Sequence, residues 1–216
     1  MARGLVVFGI GGTGQNHLKV LPDDAELIAC KVLIDAKQSL PDDLSVLDSG
    51  NVSVRVLALQ APDDGPFKPS GDHVPGDMEA DLREVLSETD MAIICAGLGG
   101  QVGSSISRTL VRWIAAAYPG IAIVSNLSLP FAQEGKKRGE VAHQALLEIS
   151  QRCLSSNCIR LDRFACNFPG MSVLELFRIV DAAWIGHMTD CHRLLCRQPW
   201  LSQERTMLPG APTGFA

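Results

Sequence analysis

The stretch Met91–Ile106, Met-Ala-Ile-Ile-Cys-Ala-Gly-Leu-Gly-Gly-Gln-Val-Gly-Ser-Ser-Ile, constrains the fold more than any other part of the sequence. A short, fully apolar run of this kind is a buried strand. It breaks into a loop with glycines at Gly97, Gly99, Gly100 and Gly103, and an amphipathic helix follows with Ile106, Leu110, Trp113, Ile114 and Ala117 at helical spacing. A strand, a glycine loop and a helix in that order form a phosphate-binding arrangement. Glycines let the backbone approach the anion, and free N–H groups at the helix start point at it. Ser104 and Ser105 are expected as helix caps or phosphate donors.

The rest of the chain repeats the alternation of strand and helix. Leu5–Phe8 is expected as a strand, followed by a glycine loop over Gly9–Asn16 and a short helix at His17–Leu21 that stops at Pro22. Leu27–Ile34 is a second strand, ending at Asp35. Val52–Leu59 alternates apolar and polar residues, as an edge or half-exposed strand does. Ala61–Gly76 reads as a loop, Asp77–Leu86 as a helix, Ile121–Val124 as a buried strand, Glu140–Cys153 as a helix and Ile159–Leu161 as a short strand. Val173–Leu195 is apolar almost all round and is expected to be a helix buried in the middle of the protein. The expected domain is 1–196, with 197–216 a proline-containing tail. The fold class that follows is α/β, a Rossmann-like three-layer sandwich with a mainly parallel sheet and a long central helix. Ligands of such sheets bind at the carboxyl ends of the strands, where both glycine loops fall.

Composition narrows the function. The chain has 216 residues and a formal charge of −5, so it offers no basic surface for nucleic acid. Its apolar runs are too short to span a bilayer, and its start lacks a signal-peptide pattern. The cysteines number seven, several of them in apolar runs (Cys30, Cys95, Cys166), and read as reduced, buried, cytoplasmic thiols. His187, Cys191, His192 and Cys196 lack the paired spacing of a zinc site, so no metal ligands are assigned.

Gly9-x-Gly11-x-x-Gly14, with Asp35 at the end of the next strand, meets the dinucleotide fingerprint and by itself points to an NAD(P)-binding oxidoreductase. A second, richer glycine loop in mid-chain is not required by a dinucleotide fold. Two such loops on neighbouring strands would surround a polyphosphate from two sides.

These residues resemble the nucleotide-binding domain of the FtsZ/tubulin superfamily. Gly9-Ile-Gly-Gly-Thr-Gly-Gln-Asn16 is similar to the family's first loop, and Asp90–Ser105 to its strand and phosphate loop. Pro130-Phe-Ala-Gln-Glu-Gly-Lys-Lys-Arg138 is similar to its Pro-Phe-x-x-Glu-Gly-Lys-Lys-Arg motif, and Val173–Ala183 to the start of its central helix. The resemblance implies a GTP/GDP site with Mg²⁺. In it Gly11, Gly12 and Asn16 hold phosphates or the guanine edge, and Gly99, Gly100, Gly103 and Ser104 cradle the β and γ phosphates. Glu134 accepts from ribose hydroxyls and Arg138 contacts ribose or phosphate. Phe177 stacks on the base, and Asp181, one helical turn on, takes the N–H groups of guanine. Asp35 lies in a partly kept second loop, Ile-Asp35-Ala36-Lys37.

The resemblance also implies self-assembly into filaments or oligomers, in division or membrane remodelling, with a membrane-associated or activating protein as further partner. Gln101, Val102 and Ser105 depart from the family's phosphate loop, and Val102 brings no hydroxyl to help place Mg²⁺. The family's catalytic loop and second domain have no counterpart after the central helix, so weak GTP hydrolysis or a non-hydrolysing scaffold is expected. Glu204 is the acid nearest the position of the missing aspartates. Trp184 and Trp200 are expected on an exposed self-association face.

Overall fold

A computed structural model describes residues 4–22, 24, 27–43, 45–47, 50–59, 74 and 76–197. Among the described residues six strands form one sheet: β1 Leu5–Ile10, β2 Ile28–Ala36, β3 Ser53–Leu59, β4 Met91–Gly97, β5 Ala122–Leu129 and β6 Ser155–Arg160. Their spatial order is β3-β2-β1-β4-β5-β6, and every pairing is parallel. The helices are α1 Gly11–Val20, α2 Gly76–Leu86, α3 Gln101–Ala117, α4 Lys136–Ser150, α5 Leu161–Asn167 and α6 Val173–Arg197.

The sheet is covered on both faces, which is why its central strands are continuously apolar. All six residues of β1 are buried. Val6, Phe8 and Ile10 face α2, α3 and α4 through Leu82, Leu110, Ile114 and Ala145. Leu5 and Val7 face the other layer, where α1 and α6 supply Leu18, Val180, Trp184 and Met188. This alternation follows from the two-residue period of a strand. β3 lies at the sheet's edge, as its alternating sequence predicts.

Several expectations are corrected. The Gly9–Asn16 segment is not an extended loop, since α1 starts at Gly11 and takes in most of it. β5 runs on to Leu129 through Ser125, Asn126 and Ser128, all buried. α4 begins at Lys136, ahead of the expected start at Glu140, and α5 was not anticipated. α6 is not buried all round. One stripe, Leu176, Val180, Trp184, Met188 and Cys191, packs on the sheet, while Val173, Leu174 and Leu194 are exposed. Trp184 belongs to that stripe and is fully buried, so it is not part of an exposed face. Cys30 and Cys95 are buried as expected, but Cys166 is exposed. The expected loop at 61–73 and the tail at 198–216, with Trp200 and Glu204, lie outside the described residues.

Polar side chains on β5 tie α6 to the sheet. Asn126 donates to the Trp184 carbonyl at 3.1 Å, and its Oδ1 accepts from Nδ1 of His187 at 2.7 Å. His187 Nε2 is 2.8 Å from Ser155 Oγ, and Ser125 bonds Ser156 at 2.8 Å. Burial pushes the His187 imidazole below its ordinary pKa, which keeps it neutral in this network. On β2, Lys31 is nearly fully buried and donates to the Leu21 carbonyl at the end of α1, a favourable place for a cation.

Candidate functional site

β1 and β4 are neighbours in the sheet, but the chain leaves them for opposite faces: α1 packs on one side and α3 on the other. This reversal opens a crevice beyond their carboxyl ends. Both helices begin there, α1 at Gly11 after Ile10 and α3 at Gln101 after Gly100. Neither N-terminus has a side-chain cap, and neither first turn carries an acid. The positive ends of both helix dipoles therefore face the crevice, where an anion is stabilised.

The glycines divide by physical role. Gly11 has φ +68°, a conformation costly for other residues, and a Cβ there would lie 3.6 Å from the Gly103 nitrogen. The two loops thus touch. A Cβ on Gly103 would collide with the Gly97 carbonyl oxygen, and one on Gly14 would sit 2.6 Å from the Cys95 carbonyl oxygen. These glycines are required by helix-on-strand packing. Gly12 and Gly100 have room for a side chain, the nearest atom at Gly100 being Arg138 Nη2 at 3.8 Å. Their openness is what an incoming ligand needs.

Ser104 is fully buried within the first turns of α3, and its Oγ accepts the Gly99 N–H at 2.7 Å. It pins the loop rather than capping the helix, and Ser105 likewise falls inside α3. Val102 packs against the core.

Beside the loop lies an open cleft of about 580 Å³ lined by Gly99, Gly100, Gln101, Glu134, Lys136, Lys137 and Arg138. Gly99, Gly100, Glu134 and Arg138 are therefore brought together as the sequence predicts. Glu134 accepts from the Phe131 N–H at 2.8 Å and pairs with Arg138 at 3.1 Å. Lys136 and Lys137 were legible in the sequence only as part of a charge run, and their place on the cleft wall was not foreseen. Among the described residues, no group of three or more His, Cys, Asp or Glu side chains converges on a metal position. A Mg²⁺ ion here would take its ligands mainly from phosphate oxygens and water.

α1 and α6 form a second cluster on the opposite face of the sheet. Asn16 is exposed on α1 and Phe177 is half-buried on α6, packed against the core. Asp181 accepts from Nδ1 of His17 at 2.9 Å. His17 is completely buried and its ring meets Trp184 edge-on at 5.1 Å. Burial disfavours the imidazolium, but the neighbouring Cys95 and the Asp181 carboxylate outweigh it and hold the His17 pKa at about 9. Sequence reasoning missed His17, because no local pattern links residues so far apart in the chain.

Asp35 is not brought to the cleft. It is buried at the end of β2, its Oδ1 accepts the Ala36 N–H at 2.8 Å, and burial raises its pKa. That removes the residue on which the dinucleotide fingerprint relied for the ribose.

The fold has counterparts among known proteins. Residues 67–165 match the model of the Tubulin/FtsZ family, GTPase domain. The chain is 26% identical over 196 residues to the cell division protein FtsZ of Buchnera aphidicola, covering 88% of this chain and 49% of that protein. The chain thus spans about half the length of the curated relatives it matches. Among solved structures, an empty FtsZ dimer of M. jannaschii superimposes with a TM-score of 0.63 at 23% identity, over 86% of this chain and 53% of the other. CetZ2 of Haloferax volcanii, a GTPγS-bound protofilament, gives 0.60 at 20% identity, over 90% and 59%.

Proposed function

We propose that this chain, FtsZ/tubulin-like in its fold and over residues 67–165, binds guanine nucleotide with Mg²⁺ and associates with further copies of itself. The observation that carries the reading is the meeting of two uncapped helix N-termini at the switch point of the sheet, beside a cleft walled by Lys136, Lys137 and Arg138. Triphosphate oxygens fit the N-termini of α1 and α3, with the cations of α4 on the flank. Gly11, Gly12, Gly99 and Gly100 form the phosphate floor, Glu134 and Arg138 the ribose side, and Asn16, Phe177 and Asp181 the base side.

Self-association is supported by the dimer and protofilament states of the structural neighbours and by exposed apolar residues around the start and along α6, namely Phe168, Val173, Leu174 and Leu194. Hydrolysis by the chain alone is expected to be slow. Glu134, the carboxylate on the cleft wall, is already engaged by Phe131 and Arg138 and is not free to act as a base. A role in division or membrane remodelling would then depend on the assembled state and on an activating or membrane-associated protein. No helix among the described residues is long and apolar enough to cross a membrane.

Acid release of nucleotide from the purified protein, followed by ion-exchange chromatography, tests the reading. GDP or GTP is expected. NAD(P) would restore the oxidoreductase alternative, and a nucleotide-free protein that also fails to take up added GTP would leave a scaffold.

A further inference from the structure

We propose that His17 is the positioning residue of the base-reading carboxylate: it fixes Asp181 so that the outward part of the carboxyl group meets the N–H edge of a 6-oxopurine. The inference rests on the guanine-nucleotide reading above and adds to it a residue that the resemblance does not assign.

The pair is asymmetric. His17 has no exposed surface, whereas the Asp181 side chain keeps 20% of its own. The imidazole therefore holds the carboxylate from the protein side, through Oδ1 at 2.9 Å, and leaves the rest of the group facing outward. Among the described residues no second hydrogen-bond partner is seated on Asp181. His17 itself cannot swing away. Its ring lies edge-on to the fully buried Trp184 at 5.1 Å, and α1 is clamped to the sheet by the close approach of Gly14 to Gly9 and to the Cys95 carbonyl.

The titratable groups facing His17 are Cys95 on β4 and Asp181 on α6, and with them the imidazole stays protonated at neutral pH. Nδ1 is then always a donor, so the acceptor oxygen is always held in place.

This matters for a nucleotide. An aspartate on a helix surface samples several rotamers and must be ordered when a base binds, at an entropic cost. Here it is ordered beforehand. Guanine and hypoxanthine present an N1–H to such an acceptor. Adenine presents a bare N1 lone pair and is rejected.

The test measures GTP, ITP and ATP binding to the full chain with Mg²⁺ by calorimetry, in wild type, His17→Asn, His17→Gln, Asp181→Ala and the Asp181→Ala/His17→Gln double variant. Circular dichroism confirms that each is folded. Asn places an amide donor where Nδ1 stood, and Gln places it where Nε2 stood. His17→Gln is expected to weaken GTP and ITP about tenfold and leave the weak ATP binding unchanged. His17→Asn should retain most of the affinity. In the Asp181→Ala background His17→Gln should cost nothing further, because it acts through that carboxylate.

Equal losses for GTP and ATP would show a merely structural role and overturn the proposal, as would identical behaviour of the Asn and Gln variants or additive losses in the double variant. Wild-type binding of GTP with His17→Gln unaffected sinks this inference alone. Wild type without affinity for any nucleotide sinks the functional reading, and this inference falls with it.

Discussion

Raising the pH from 6.5 to above 9 should destabilise the protein by discharging His17. The folded state holds the His17 proton to about 9, against an ordinary value of 6.5. Between those values the native chain binds a proton that the unfolded chain has released. The pair's contribution to stability is therefore complete below pH 6.5 and is lost as the pH rises through about 9. Holding a proton over that interval corresponds to about 3 kcal/mol, a large part of a domain's net stability. Burial already opposes the charge, so the loss on deprotonation reflects the attraction of Cys95 and Asp181 together. Asp181→Asn removes only the second. It should flatten the pH dependence without abolishing it, and it should lower stability at pH 6.5 while leaving it nearly unchanged at pH 10. The assay is urea unfolding at a series of pH values, followed by circular dichroism, with slopes compared between wild type and variant. Parallel profiles for the two proteins would refute the argument, because they would mean that the carboxylate does not hold the proton.

Three further outcomes are expected. Gly103→Ala should lower the thermal midpoint sharply, since its Cβ would meet the Gly97 carbonyl, whereas Gly100→Ala should unfold like wild type yet bind GTP more weakly. Asn126→Ala should cost about 1–3 kcal/mol in denaturant unfolding, because it strips a partner from the His187 ring and from the Trp184 carbonyl. Trp184→Ala should cost about 3–5 kcal/mol in the same assay, for the side chain has no exposed surface and fills the layer between α6 and the sheet.

What the sequence made legible follows the range of the interactions involved. β1, β4 and α3 were readable because their burial is written into continuous apolar runs and a helical period. The edge position of β3 was readable from the alternation of Val54 and Val56 with Ser53 and Arg55. The second half of β5 was not, because Ser125 and Asn126 are buried against partners on β6 and α6 that no local window contains. The glycine segment after β1 looked like a loop because glycine disfavours helix. It is helical because only glycine at 14 lets α1 approach β1 and β4 so closely.

Of the site, the cleft residues Gly99, Gly100, Glu134 and Arg138 came together as expected. Gly103 and Ser104 lie at the loop but are used to build it. Asp35 turned inward, and the partner of Asp181 had no signal at all. A helix that is apolar all round does not reveal which stripe is covered, which is why Trp184 was placed on the wrong side of α6.

The central claim is that the crevice at the carboxyl ends of β1 and β4 holds a guanine nucleotide. Equilibrium binding of GTP and ATP to the nucleotide-stripped protein, in Mg²⁺ and at one ionic strength, tests it most directly. Saturable GTP binding is predicted, with ATP at least about tenfold weaker, a difference of about 1.4 kcal/mol. Equal affinity for the two nucleotides, or no binding of either by folded protein, would contradict it.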